Sequence, residues 1–440
     1  MNGEPHRYVR ALGQLRAAKR VGFVEAVAPG HVESRGPLSC VGDTCEIESA
    51  DGPLLAEVAA IGRDRVVLVP LEQARAIAPN ARVLARPIQA KAPVGEEFAG
   101  RAVDAMGTPI DHGPPILAHT WAPLQGRVLA PLERTAPVRA IETGVRAIDA
   151  LLTLGRGQRV GLFAAAGVGK TTLMSELAFG VDCDRCVLCL VGERGREVES
   201  IWRTVAARTD KARYACVAAT SDKSAPLRAR AVHQALALAE YWRDRGEHVL
   251  LIVDSATRFA MALREIGLAA GAPPTLRAYT PNVFAALPRI VERCGAAAAG
   301  GAITAVMTVL SETDDVDDPI TELMKSLLDG HIVLSRQLAE QSHYPAIDVL
   351  RSVSRHSHAL MSHEHGAAAG RLLHLLSAYE EARVLVESGI HKPGASARID
   401  EAVAARDAIM RFLRQRGGER SPLADTIAQL VQASAGGRHA

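Results

Sequence analysis

The sequence predicts an α/β protein with a parallel-sheet core, preceded by a small β-barrel and followed by a helical end. Three observations carry that reading. Between about Val21 and Pro87, short apolar runs alternate with turn residues. Beyond about Ala90, buried-strand runs alternate with helical stretches, and after about Gly366 the strand runs stop. Close-set short strands suggest a closed antiparallel barrel, whereas strand-helix alternation signals a parallel sheet with crossover helices.

The barrel reading rests on GFVEAVA, APGHVESRG, LSCVGDTCEIE, LLAEVAAIGRD and RVVLV, with no helical period until EQARAIAP. The core strands are RVGLF, CVLCLV, VLLIVD and AITAVMTVL; the helices between them include TTLMSELAF and LRARAVHQALALAEYWR. Towards the end, Leu372, Leu373, Leu375, Leu376 and Tyr379 mark one amphipathic helix, and Ile399, Val403, Met410 and Leu413 a second. A last helix begins with Ser421 as cap and Pro422 at the first position, and carries Leu423, Ile427, Leu430 and Val431 on one face.

At 440 residues the chain exceeds the reach of one core, so two or three units are expected. The 48% hydrophobic content excludes a disordered polymer. The balance of 51 basic against 49 acidic residues argues against a nucleic-acid partner, which needs clustered cations to neutralise phosphates. Seven cysteines, and a charged start without an apolar run behind it, point to a reducing cytoplasm. The uncharged stretch Cys294 to Ser311 is broken by Gly295, Gly300 and Gly301, and reads as a loop feeding a buried strand.

Three motifs carry chemistry. The first, Ala164, Ala165, Ala166, Gly167, Val168, Gly169, Lys170 and Thr171, lies between a strand run and a helix run that continues through Thr172. Glycines in such a loop turn backbone N–H groups towards phosphates, the lysine adds a point charge, and the hydroxyl ligates Mg²⁺. The second is Asp254, at the end of the apolar run Val249 to Val253, where a nucleotide-bound Mg²⁺ is held. The third is GERGREV, Gly192 to Val198, whose Glu193 stands at a strand tip suited to orienting water for attack on a γ-phosphate.

Together with VLLIVDSATRFAMALREIGLAAGAPP, NVFAALPRIVERCG, DDPITELMKSLLDGHIVLSR and HYPAIDVLRSVSR, these segments resemble the type III secretion ATPases, protein-export relatives of the rotary ATP synthase catalytic subunit. The resemblance runs from about Val21 to the C-terminus. It implies a RecA-like P-loop core and the division 1–20 basic segment, 21–90 barrel for oligomerisation, 91–366 ATPase domain and 367–440 helical domain. It further implies ATP and Mg²⁺ as ligands, with Lys170 and Thr171 on phosphate and metal, Glu193 activating water, Arg194 near the γ-phosphate and Asp254 as the Mg²⁺-directed acid. Tyr344 resembles the aromatic residue on which adenine stacks. Arg355 resembles an arginine finger supplied to a neighbouring subunit, which implies a homohexamer. The partners implied are a stator, a central stalk, chaperone-bound effectors and the export gate, with the ring peripheral to the inner membrane. Ala164 departs from the usual first glycine, Ala272 stands where an acid is usual, and PPTLRAYTPNVF is an unusual loop; none removes a catalytic group.

Four other functions are weighed against this one. A flagellar export ATPase differs at no decisive residue. A rotary synthase subunit is disfavoured by REIGLAAG and GHIVLSR and by the lack of an acidic lever segment. An RNA-translocating hexamer needs stacking aromatics, while residues 1–97 hold only Tyr8 and Phe23. A non-catalytic ring subunit is disfavoured by intact Lys170, Glu193 and Asp254. Two metal-like constellations are read as structural: Cys183, Cys186 and Cys189, two of which alternation sends to opposite strand faces, and the polar run His356, His358, His363 and His365. Residues 6–20 are read as a short basic helix with Tyr8, Leu12 and Leu15 on one side.

Overall fold

The computed structural model describes residues 20–72, 76–86, 91–310 and 318–435. The expected basic helix lies almost wholly outside them. The described residues form two compact units, one within Met1–Lys91, Lys223–Leu227 and Ala262–Pro281, the other within Ala92–Asp222, Arg228–Met261 and Asn282–Ala440.

In the first unit, β1 (Val21–Ala28), β2 (His31–Arg35), β3 (Thr44–Ile47), β4 (Leu54–Ile61), β5 (Val66–Pro70) and β6 (Arg82–Arg86) close into a barrel in the order β1-β2-β5-β4-β3-β6. Alternation explains why these segments are strands. In β4, Leu54, Ala56 and Val58 point inward, to join Val24, Val32, Ile47, Leu68 and Val83 in one apolar core. Each fully buried Val, Leu or Ile there contributes about 1.5–3 kcal/mol. Of the run EQARAIAP, residues 73–75 lie outside the described residues and 76–79 form no helix.

The second unit begins with β7 (Lys91–Val94), β8 (Arg101–Val103), β9 (Thr120–Pro123), β10 (Arg134–Thr135) and α1 (Arg146–Leu151). Along the chain the alternation follows, with the start of α4 and the end of α5 counted in the first unit: β11 (Arg159–Ala164), α2 (Lys170–Gly180), β12 (Arg185–Val191), α3 (Gly195–Ala206), β13 (Tyr214–Ala219), α4 (Ala225–Arg243), β14 (His248–Asp254), α5 (Ala256–Ala269), α6 (Pro281–Glu292), β15 (Gly295–Ala297), β16 (Ala302–Leu310), α7 (Pro319–Leu327), β17 (Gly330–Val333), α8 (Arg336–Glu340) and β18 (Val353–Ser354). The sheet runs β18-β17-β11-β16-β14-β12-β13-β8 and is parallel from β17 to β8. Strands β12, β13 and β14 are buried along almost their whole length, as two-sided coverage requires. The carboxyl ends of β11, β12, β14 and β16 therefore open on one edge, where ligands bind in such sheets.

Helices α9 (Ser357–Leu360), α10 (His363–Glu387), α11 (Ala397–Leu413) and α12 (Leu423–Ala435) complete this unit. The buried face of α10 includes the expected Leu372, Leu375, Leu376 and Tyr379. In α11 the face is rotated from the expected one: Ala402, Ala405, Ile409, Phe412 and Leu413 are buried while Val403 is exposed, because small alanines allow closer packing than the large residues alone suggest. The last helix starts one residue later than expected. Pro422 supplies the first helical carbonyl, to the Thr426 N–H, and Glu142 takes the Leu423 N–H, while the Ser421 hydroxyl accepts from the Thr426 side chain instead of capping. Among the described residues no helix is long and apolar enough to cross a membrane.

Candidate active site

Strand β11 ends in the loop Ala164 to Gly169, and α2 starts at Lys170. Ala164, Ala165 and Val168 are buried and anchor the loop, while Ala166 and Gly167 are exposed. Gly167 (φ 80°) and Gly169 (φ 93°) adopt left-handed backbone that a side chain disfavours. A Cβ on Gly167 would meet no atom of the described residues within 4 Å, so among them the loop bounds open space. Ahead of that space lies the start of α2, where the N–H groups of Lys170, Thr171 and Thr172 have no intrahelical acceptor. Thr171 and Thr172 are exposed there.

The Lys170 ammonium donates to Asp254 Oδ1 at 2.5 Å and to Glu193 Oε1 at 3.5 Å. Asp254, the last residue of β14, is 2% exposed, and its Oδ1 also accepts from the Thr308 hydroxyl at 2.6 Å. Register explains the meeting: Leu190 of β12 pairs with Asp254, and Val253 with Met307 of β16. Glu193 follows β12 by two residues, is buried, and has its carbonyl fixed by the Ser221 N–H at 3.0 Å. Burial raises its carboxyl above the ordinary 4.5, and Asp254 and Glu197 push the same way against Lys170 and Arg258. Arg194 caps the start of α3 with its carbonyl and leaves its side chain exposed.

Tyr344 is 42% exposed and its ring lies over the loop; a Cβ on Gly169 would sit 3.5 Å from Tyr344 Cε1. Arg355 is elsewhere. Its N–H donates to the Asp329 carbonyl at 2.9 Å and its guanidinium to the Lys325 carbonyl at 3.4 Å. Asp329 in turn holds Arg159, the first residue of β11. Five residue steps of strand, about 17 Å, therefore separate that neighbourhood from the phosphate-loop end. Within one chain the structure unites Lys170, Glu193, Asp254 and the loop with Tyr344, and leaves Arg355 apart.

Two site residues escaped the sequence reading. Thr308 was visible only as a polar interruption in AITAVMTVL. Arg258 stands a turn into α5, with its N–H on Ser255 Oγ at 3.1 Å, its stem over Gly192 and its Nε buried without a partner among the described residues. A cation four residues after the strand-ending Asp254 was the available signal.

The three cysteines and His365 are parts of the packing, and the other three histidines lie at or near the surface. Cys186 joins the apolar core beside Arg213 and Cys183, whereas Cys189 faces the other way and meets the Ala231 carbonyl at 3.7 Å. His365 is buried with Nε2 on the Ala150 carbonyl at 2.8 Å, His356 precedes α9, and His358 and His363 are exposed.

The oxygen set of Thr171 and Asp254, with carboxylate Glu193 beside it, suits a hard divalent cation such as Mg²⁺ in contact with phosphate. The open space over Gly167 suits the phosphates themselves.

A family model described as ATP synthase alpha/beta family, nucleotide-binding domain, matches residues 144–354. One described as T3SS EscN ATPase C-terminal domain matches residues 361–432. The chain is 44% identical to the type 3 secretion system ATPase of Xanthomonas euvesicatoria, over 96% of each chain. It is 42% identical to the flagellum-specific ATP synthase of Treponema pallidum, over 96% of this chain and 95% of that one. Among solved structures it resembles the assembled ATPase EscN of the enteropathogenic E. coli type III secretion system, with a TM-score of 0.90 and 37% identity over 94% of this chain and all of that one. EscN in complex with its central stalk EscO gives 0.85 at 36%, with the same coverage.

Proposed function

We propose, from the premise that this chain belongs to the type III secretion ATPase family, that it works as a homohexameric ring whose ATP hydrolysis releases export substrates from chaperones and unfolds them for entry into an export gate. The chain is a P-loop ATPase of a secretion apparatus, with a barrel, a RecA-like nucleotide-binding core and a helical C-terminal region. What carries the mechanistic reading is the convergence of Lys170, Glu193, Asp254 and Thr308 at one sheet edge, in front of the loop at Gly167.

In this reading the phosphates lie against the N–H groups at the start of α2 and draw the Lys170 ammonium from its two carboxylates. Thr171 and Asp254 would hold Mg²⁺, which when bound would supply positive charge to offset that of the phosphates. Glu193 orients the attacking water and accepts its proton. Arg194 and Arg258 add cationic charge near the γ-phosphate, and Tyr344 stacks on adenine. Arg355 completes the site of an adjacent subunit. The division 1–20, 21–90, 91–366 and 367–440 follows as a division of labour: attachment, ring contact, catalysis and coupling to partners.

A central stalk, a stator, chaperone-bound effectors and the export gate are the partners in this scheme, with the ring docked peripherally at the inner membrane. EscN's complex with its stalk EscO supports the first of these. A flagellar export role is the second reading, because flagellum-specific relatives match at 40–43% identity, close to the 44% of the secretion relative. ATPase activity measured across protein concentration tests enzyme and ring together: specific activity should rise with assembly, and activity independent of concentration in a monomer would end the shared-site reading. Complementation of an injectisome against a flagellar ATPase deletion separates the two roles.

A further inference from the structure

The segment between α11 and α12, residues 414–422, meets the nucleotide site at one buried residue, Gln415. Its backbone N–H donates to the Tyr344 carbonyl at 2.8 Å. Its side-chain amide is fully engaged: Oε1 accepts from the Arg146 N–H at 2.9 Å, and Nε2 donates to the carbonyls of Gly144 and Glu419, each at 2.7 Å. Arg146, itself buried, donates from Nε to the Phe412 carbonyl at 2.9 Å, from one Nη to the Arg414 carbonyl at 2.5 Å and from the other to Glu419 at 2.7 Å. Glu419 also accepts the Arg416 N–H at 3.0 Å. The far end of the same segment is tied to α2 by Arg420, which donates to the Gly180 carbonyl.

An amide with this many buried partners fixes its own backbone, because each bond lost would strand a polar group away from water. The backbone so fixed carries the N–H that holds Tyr344. The Tyr344 ring is half-exposed, lies over Gly169 and makes no hydroxyl hydrogen bond among the described residues, so its orientation is set from the main-chain side.

We propose that Gln415, braced by Arg146, is a positioning residue for recognition of the nucleotide base: it sets Tyr344 at the height at which a purine ring stacks, and acts on nucleotide affinity without acting on phosphoryl transfer. The inference rests on the assignment of Tyr344 as the stacking aromatic. The segment is the chain's exit from α11, so movement of that helix would reach the base through Gln415 before it reaches the phosphates.

The experiment measures steady-state ATP hydrolysis by the assembled full-length protein, and inhibition by inorganic tripolyphosphate, which has no base. Gln415→Ala should raise KM for ATP roughly tenfold, from the loss of buried hydrogen bonds, with kcat within about twofold and the tripolyphosphate inhibition constant unchanged. Gln415→Glu keeps length and volume but faces the Gly144 and Glu419 carbonyls with an acceptor, and should give the same split if the alanine variant folds poorly. In a Tyr344→Ala background the effect of Gln415→Ala should largely vanish, since nothing remains to position. Equal weakening of ATP and tripolyphosphate, a fall in kcat with unchanged KM, or effects that simply add would each overturn the inference. Absence of ATP turnover in the unsubstituted protein would instead remove the ATPase reading itself.

Discussion

The two ends of β11 present opposite electrostatic solutions. At the carboxyl end Lys170, Asp254, Glu193 and Thr308 satisfy one another within a single chain, and the cluster is largely withdrawn from water. At the amino end Arg159 is locked onto Asp329 and Glu292, but Arg355 beside it is exposed and reaches a carbonyl at 3.4 Å. Buried charges require partners at hand, because an isolated one would cost several kcal/mol. An exposed guanidinium carries no such requirement. The first end is a finished half-site, and the second is a group still available to another molecule.

Removing the finished half should have the largest effect. Lys170→Ala is expected to reduce ATP turnover to background, through lost phosphate contact and two uncompensated carboxylates; near-normal turnover in a phosphate-release assay would break the assignment. Next, Arg355→Ala should cost on the order of 10³ or more in rate, while nucleotide binding to the isolated chain stays intact. Mixing Arg355→Ala with Lys170→Ala subunits should restore part of the activity, and mixed rings as dead as their parents would erase the contrast between the two ends.

Glu193→Gln keeps shape but removes the proton acceptor, for an expected loss of about 10²–10⁴ in kcat with retained nucleotide binding. A smaller effect comes from pH. Because burial lifts the Glu193 carboxyl above 4.5, it takes up a proton sooner as pH falls, so the acid limb of kcat/KM should lie above the ordinary glutamate range. For stability the sign is opposite: a raised folded value contributes stability that is present below the unfolded value and is lost as pH rises through the folded one. Tyr344→Ala closes the series, with KM for ATP rising roughly tenfold from lost base stacking and little change in kcat.

The same two ends also mark what a sequence makes legible. The phosphate loop was readable because its residues are contiguous and each obeys a local rule: glycine for positive φ, lysine and hydroxyl for the ligand. Asp254 and Glu193 were readable because each ends a strongly apolar run. Thr308 and Arg258 were not, since their role depends on register between strands and on a neighbouring glycine, neither of which leaves a local pattern. The Gln415 contacts span 269 residues to Arg146, and no periodicity encodes such a pairing. Ser421 had every mark of a cap, yet Glu142 took the adjacent N–H, so a tertiary partner displaced a local preference by one residue. Alanines in α11 hid its buried face for a related reason: the helix packs by closeness, and hydrophobic size is a poor guide to that.

The barrel carries a consequence for the life of the chain before assembly. An open sheet ends in a row of unpaired N–H and C=O groups that can template strand pairing with the next molecule, and crowded, newly made subunits are where such pairing becomes irreversible. Here β1 pairs with both β2 and β6, so the ring of strands has no such row. Were copies of the chain brought together at this barrel, its described strands would offer no open edge for exchanging backbone. Assembly can then be reversible at high local concentration, and a pool of unassembled subunits has one fewer route into fibres.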